Sequence, residues 1–167
     1  MTSVLKYSKS SNSEELISQF EELLCNKWNE AMGRGLFRYS VDNIDTKQLD
    51  GEYSFLVSMN TGRLNNRRPP QKFTSVCQLP SPGDFNFTKV KPDEILFDVV
   101  NLDNDDIKGS VLINVSPFLQ YNSLIIPNVK AVLAQMVTYN GLLFAIEFLM
   151  LNSKLKIFFN SMWAMLP

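Results

Sequence analysis

From Leu16 the apolar positions Phe20, Leu23, Leu24, Trp28, Ala31 and Met32 recur at three- and four-residue steps, the spacing that lines one face of an α-helix. Ser13 offers a side chain able to cap the first turn, and Glu14 and Glu15 follow where the positive helix end favours carboxylates. An amphipathic helix is predicted from Ser13 to about Gly33. Ahead of it, residues 1–12 are polar and serine-rich, too poor in apolar groups to pack, and predict a disordered lead.

Beyond Gly33 the period shortens towards two or gives way to brief apolar runs. Leu36–Ser40, Tyr53–Met59, Phe73–Gln78, Ile95–Asn101, Val111–Val115 and Ser123–Ile126 are the strands this pattern predicts. Pro69 with Pro70, Pro80 with Pro82 and Gly83, and the acidic stretch Asp103–Asp106 separate them as loops. The gaps are mostly too short for helical crossovers, so the sheet is expected to be mostly antiparallel. Residues 130–152 then read as a second helix, with Leu133, Met136, Val137, Leu143, Phe144, Phe148 and Leu151 on one side and Gly141 as a weak point. Its run GLLFAIEFLML is too short to span a bilayer, and Gln135, Asn140 and Glu147 fall inside the only window long enough, so a buried helix is expected rather than a membrane span. Leu155–Asn160 reads as one more short strand. The pattern as a whole predicts an α+β domain: a mostly antiparallel sheet with an N-terminal and a C-terminal helix.

Composition narrows the partners. The 167 residues suffice for one domain, read here as residues 13–167, and 16 basic against 17 acidic side chains provide no broad field for nucleic acid or an anionic membrane. Recognition of an anion must therefore be local, and a small molecule is the expected ligand. Cys25 sits within the helical pattern, Cys77 lies far away, and no secretion signal opens the chain, which fits reduced thiols and a cytoplasmic setting. Asp98 and the run Asp103, Asp105 and Asp106 lack histidine or cysteine neighbours and calcium-loop spacing, so no metal and no cofactor is expected. The chain contains no histidine.

Three segments in fixed order, GLFRY (Gly35–Tyr39), GEYSFLVSMNTGR (Gly51–Arg63) and FNFTKV (Phe85–Val90), resemble the family of GDP-D-glucose and plant GDP-L-galactose phosphorylases, divergent members of the histidine-triad superfamily. The likeness runs from about Leu24 to Asn128 and returns at Lys156–Met162. It implies a histidine-triad-like fold and phosphorolysis of a GDP-hexose, with GDP-hexose and phosphate as partners and a guanylylated histidine as intermediate. Neutral imidazole suits that role because it is nucleophilic near neutral pH. In the family the nucleophile stands in a His-x-His-x-Gln motif after an Asn-Ser-Leu-Gly segment. Phe159, Asn160 and Ser161 resemble the start of that segment, and MWAMLP follows in place of the motif. The segment INVSPFLQYNSLIIP (Ile113–Pro127) resembles a family stretch in which Gly-His stands where Tyr121 and Asn122 stand here. The resemblance thus implies that no catalytic residue is present, that the fold is incomplete, and that the chain is the N-terminal portion of such an enzyme, inactive alone. The other reading is a non-catalytic guanine-nucleotide-binding or interaction protein.

Candidate substrate-binding residues are Arg38, Arg63, Asn86, Lys89 and Asn160. Arg63, with Arg67, Arg68, Asn65 and Asn66, forms a turn whose forked guanidinium groups suit phosphate oxygens, although a solvated basic turn explains the same composition. Arg38 lies between Phe37 and Tyr39 and must face water or a partner. Asn86 and Lys89 can bring an amide and a cation to a substrate, or belong to a loop packed by Phe85 and Phe87. Asn160 is placed by resemblance alone, since the matching family asparagine lies beside the nucleotide phosphates and ribose. An incomplete sheet leaves an unpaired edge and an uncovered apolar surface, and self-association is expected.

Overall fold

In a computed structural model, residues 2–8, 13–42, 44–66, 74–75, 79, 81, 83, 85–102, 106–129, 134–152 and 154–159 are described. Among them, strands β1 (Ser3–Tyr7), β2 (Asp45–Gln48), β3 (Leu56–Met59), β4 (Ile95–Asn101), β5 (Asp106–Ile113) and β6 (Ser123–Pro127) combine with helices α1 (Ser13–Gly33), α2 (Thr61–Asn66) and α3 (Tyr139–Leu149). The fold is α+β. Four strands form an open sheet in the order β1-β4-β5-β6, and β2 and β3 make a separate hairpin. Pairings β4–β5 and β5–β6 are antiparallel, and β1 joins β4 in parallel at one edge.

That edge strand corrects the expectation of a disordered lead. Residues 3–7 pair with Phe97–Asn101, and their alternation sends Leu5 and Tyr7 into the core while Val4 and Lys6 face outward. Two inward side chains and one ladder of backbone bonds suffice because β4 already presents a formed edge. Tyr7 Oη then donates to Glu147 Oε2 at 2.7 Å, tying β1 to α3.

α1 occupies the bounds its periodicity predicts. Phe20, Trp28 and Ala31 are buried, with Leu16, Leu23, Leu24 and Met32 packed beside them. Its end is set by the backbone: Leu36 N donates to Ala31 O at 3.2 Å and Gly35 N to Met32 O at 3.0 Å, with Gly35 at φ +69°. This pair of bonds is a Schellman closure, which needs a left-handed residue at the position Gly35 fills. The turn also corrects the predicted strand at Leu36–Ser40, which makes no ladder. Its apolar residues are used differently, Phe37 stacking on Trp28 at 4.8 Å between ring centroids.

α1 and α3 lie on one face of the large sheet. Phe20 meets Phe97 at 6.2 Å and Phe148 at 5.2 Å between centroids, both edge to face. Gly109 of β5 sits on the same face beneath Phe144: a Cβ there would stand 2.7 Å from Ile126 O and 3.0 Å from the Phe144 ring. The opposite face, carrying Asp98, Ser110 and Leu112, is bordered by the segment Phe87–Val90 and by Val129.

Other boundaries move for local reasons. α3 begins at Tyr139, capped by Thr138, whose Oγ1 accepts from Gly141 N at 3.1 Å; residues 134–138 are not helical, and 130–133 fall outside the described set. Gly141 therefore stands in the first turn, where its helix penalty is least felt. β2 has four exposed residues and no apolar alternation to reveal it, while β3 keeps only the second half of Tyr53–Met59, after Ser54 at φ 44°. β5 starts inside the acidic stretch and ends at Ile113. Residues 155–159 form no strand, and Phe73–Gln78 lies outside the described residues except for Thr74 and Ser75. Among the described residues no helix is long and apolar enough to cross a membrane.

Candidate functional site

The connection from β5 to β6, Asn114–Asn122, is folded around amide side chains. Asn114 Oδ1 accepts from Ser116 N at 3.1 Å, and its Nδ2 donates to Asn122 Oδ1 at 2.9 Å. The same Asn122 oxygen accepts from Phe118 N at 3.1 Å, so it closes the loop from its far end. Tyr121 beside it adopts φ 62°, and Pro117 is fully buried at the loop's centre. Asn122, predicted at a family histidine position, thus acts here as a loop staple.

α2 brings Arg63 against that loop. Asn60 precedes the helix and its Oδ1 accepts from Arg63 N at 2.9 Å, a side-chain cap that explains why six residues with no buried position form a helical turn and a half. Arg63 Nη1 donates to Ser116 O at 2.7 Å and to Tyr39 Oη at 3.2 Å, and the guanidinium lies 3.8 Å from the Phe118 ring centroid. Tyr39 Oη in turn donates to Pro117 O at 3.0 Å. Gly62 permits the approach, since a Cβ there would stand 2.8 Å from Tyr39 Cβ. Arg38 Nη1 donates to Asn66 O at 3.0 Å, where a cation meets the exposed carbonyl end of α2. Arg38, Arg63 and Asn122 are therefore gathered at one place.

Two buried atoms there have no hydrogen-bond partner among the described residues: Asn60 Nδ2 and Ser116 Oγ. Each belongs to a residue that already binds Arg63 through another atom. A buried donor left unmade costs about 1–3 kcal/mol, so these two atoms are the least satisfied point beside the Arg63 guanidinium, itself a permanent cation.

Asn86 and Lys89 stand elsewhere. Asn86 Oδ1 accepts from Thr88 N at 3.0 Å and starts the 3-10 turn Phe87–Lys89. This turn borders a concavity of about 320 Å³ on the sheet face away from α1 and α3, lined by Phe87, Thr88, Val90, Ile95, Asp98, Ser110, Leu112 and Val129. The volume is at the lower end of ligand pockets, and the mostly apolar walls with a few polar groups follow their usual pattern. Asn160, Arg67 and Arg68 lie outside the described residues.

Sequence reasoning missed Asn60, Tyr39, Asn114 and Ser116. Asn60 carried a usable signal, an Asn before a short polar stretch, which is an N-cap pattern. Asp98 carried another, a charge in the middle of the apolar run ILFDVV. Tyr39 and Ser116 act through contacts across 78 and 53 positions of chain, which no local pattern announces. No group of His, Cys, Asp and Glu able to hold a metal is present among the described residues. Cys25 is a free thiol.

Residues 19–166 match the family model described as GDPGP1-like, N-terminal domain. GDP-D-glucose phosphorylase 1 of Xenopus laevis is 30% identical, covering 87% of this chain and 46% of the relative. The protein of that name from Danio rerio is 34% identical, over 87% of this chain and 42% of its own length. GDP-L-galactose phosphorylase 2 of Arabidopsis thaliana is 33% identical, over 81% and 36%. The chain spans less than half the length of these curated relatives. No solved structure matches it.

Proposed function

The chain belongs to the GDPGP1-like family, and on that premise we propose that it contributes the nucleotide-sugar-binding part of a GDP-hexose phosphorylase. The reaction of that reading is guanylyl transfer to phosphate. A histidine nitrogen attacks the α-phosphorus of GDP-hexose, hexose 1-phosphate leaves with the electrons of the broken P–O bond, and inorganic phosphate then displaces the histidine to give GDP. The 167 residues contain no histidine, and Asn122, an amide without a titrating proton, cannot stand in for one. This chain by itself therefore binds and does not turn over.

Within this reading, the Arg63 guanidinium meets the phosphate oxygens, and Arg38 adds a second cation at the end of α2. Asn86 and Lys89 belong to the turn whose Phe87 and Thr88 line the concavity, and Asn160 completes the set by resemblance. The histidine-triad ancestry and a cytoplasmic setting belong to the same reading. What carries it is the match of nearly the whole chain to relatives that bear phosphorylase names. Every step runs on phosphorus and hydrogen-bond donors, so no cofactor enters.

The test incubates the purified chain with GDP-glucose and phosphate and follows GDP by chromatography, alongside calorimetric titration with GDP-glucose. Binding without GDP release above the protein-free control is expected. Phosphate-dependent GDP release would overturn the placement of chemistry on a histidine this chain lacks. Absence of binding at millimolar ligand would overturn the binding role.

A further inference from the structure

The concavity on the sheet face away from α1 and α3 has, among the described residues, one ionisable group in its lining, Asp98, at the centre of β4. Its cross-strand neighbour Ser110 donates from Oγ to Asp98 Oδ1 at 2.5 Å, which holds the carboxylate in one orientation. Around the pair stand Phe87, Thr88, Val90, Ile95, Leu112 and Val129, one hydroxyl among an aromatic ring and aliphatic chains. A half-open, mostly apolar concavity with a single oriented carboxylate is suited to a flat, mostly apolar ligand that carries hydrogen-bond donors on one edge. A phosphate group is the wrong occupant, because the carboxylate would repel it. Sugars are poorly served too, since hydroxyls around a whole ring would meet apolar walls on most sides.

A nucleobase fits these demands, and the choice among bases follows from their donors. Guanine alone presents two adjacent donors, N1–H and the 2-amino group, in the fork that a carboxylate accepts with its two oxygens. Hypoxanthine lacks the amino group. Adenine and cytosine set a ring acceptor beside their amino group, which would face the carboxylate unfavourably, and uracil places its one N–H between two carbonyls. The serine contact consumes one lone pair of a group that has about four acceptor sites, so both oxygens remain able to accept.

We infer that Asp98, oriented by Ser110, reads the guanine edge of a nucleotide seated in this concavity and makes the site selective for guanine nucleotides. The inference rests on the nucleotide-sugar reading above and adds the residue that sets base choice. Asp98 is a specificity residue in this scheme and takes no part in bond breaking.

Titration of the chain with GDP, IDP, ADP and UDP by calorimetry tests it, with the unchanged chain and Asp98→Asn side by side. The substitution keeps size and an oxygen for Ser110, while its amide group presents donors where guanine also presents donors. The unchanged chain is expected to bind GDP roughly tenfold or more tightly than IDP, the scale of one hydrogen bond to a charged group, and ADP and UDP more weakly still. Asp98→Asn is expected to bring GDP within about twofold of IDP. Equal binding of GDP and IDP by the unchanged chain, or a GDP preference that survives Asp98→Asn, would overturn the inference and leave nucleotide binding standing. Failure to bind any of the four nucleotides would overturn both. The GDP to IDP ratio of the unchanged chain requires no variant, so the inference stays exposed to refutation even if Asp98→Asn does not fold.

Discussion

Arg63 shows how much a single residue's meaning depends on what surrounds it. In the chain it is one of three arginines in a polar turn, and charge alone fits a solvated loop as well as a phosphate ligand. In the fold it is half-buried and joins α2 to the β5–β6 loop through Ser116 O, Tyr39 Oη and the Phe118 ring. Those contacts need a planar fork and a stacking face together, which lysine does not have. Arg63→Ala is expected to lower unfolding free energy by about 1–3 kcal/mol, the range for losing hydrogen bonds from a charged group, and Arg63→Lys to recover less than half of that. Urea denaturation followed by circular dichroism measures both. A loss within about 0.5 kcal/mol for Arg63→Ala would mark it as a surface turn residue after all. Asn122 followed the opposite course, being legible only as a departure from a family pattern, while its work as the staple of its own loop depends on Asn114, eight positions earlier.

Among the elements, α1 was fully legible because its signals are local: a 3.6-residue apolar period, acidic residues in the first turn and a glycine at the end. Its closure makes a sharp prediction. Gly35 has φ +69° and an added Cβ would meet nothing within 4 Å, so the effect of Gly35→Ala is conformational alone. The expected cost is about 1–2 kcal/mol, that of a left-handed residue with a Cβ, read as a lowered thermal midpoint with unchanged helix content at low temperature. Equal stability would contradict the closure. β1 and β2 were illegible for different reasons. A five-residue edge strand such as β1 is stabilised by a partner that stands some ninety positions away in register, from Ser3 to Phe97. β2 is exposed at every residue and shows no buried face to leave a trace in the pattern. α3 was foreseen as helix but overextended, because its apolar run continues through residues whose backbone is already irregular.

At the scale of the whole molecule, α3 is apolar on two faces. Phe144 and Phe148 point to the core, while Leu142, Leu143, Ile146, Leu149 and Met150 remain exposed, Met150 at 77%. A helix apolar all round ordinarily has cover on both sides, and the large sheet also ends in β1 and β6 without further strands among the described residues. Concentration-dependent self-association is the expected result. Sedimentation velocity between micromolar and hundred-micromolar chain should show a rising average mass, and Ile146→Glu should shift it back towards monomer; a monomer throughout that range would refute the prediction. The chain by itself determined the fold class, the first helix, the strands β4 and β6, and through three ordered motifs the family, because each of these is written in short-range periodicity or in contiguous residues. Only the tertiary structure decided that the first residues complete a sheet edge, that Arg38, Arg63 and Asn122 meet at one loop, and that Asp98, held by Ser110, lines a mostly apolar concavity. Those facts arise where distant segments pack, and a side chain's neighbours there are set by register and topology, which no local spacing of residues encodes.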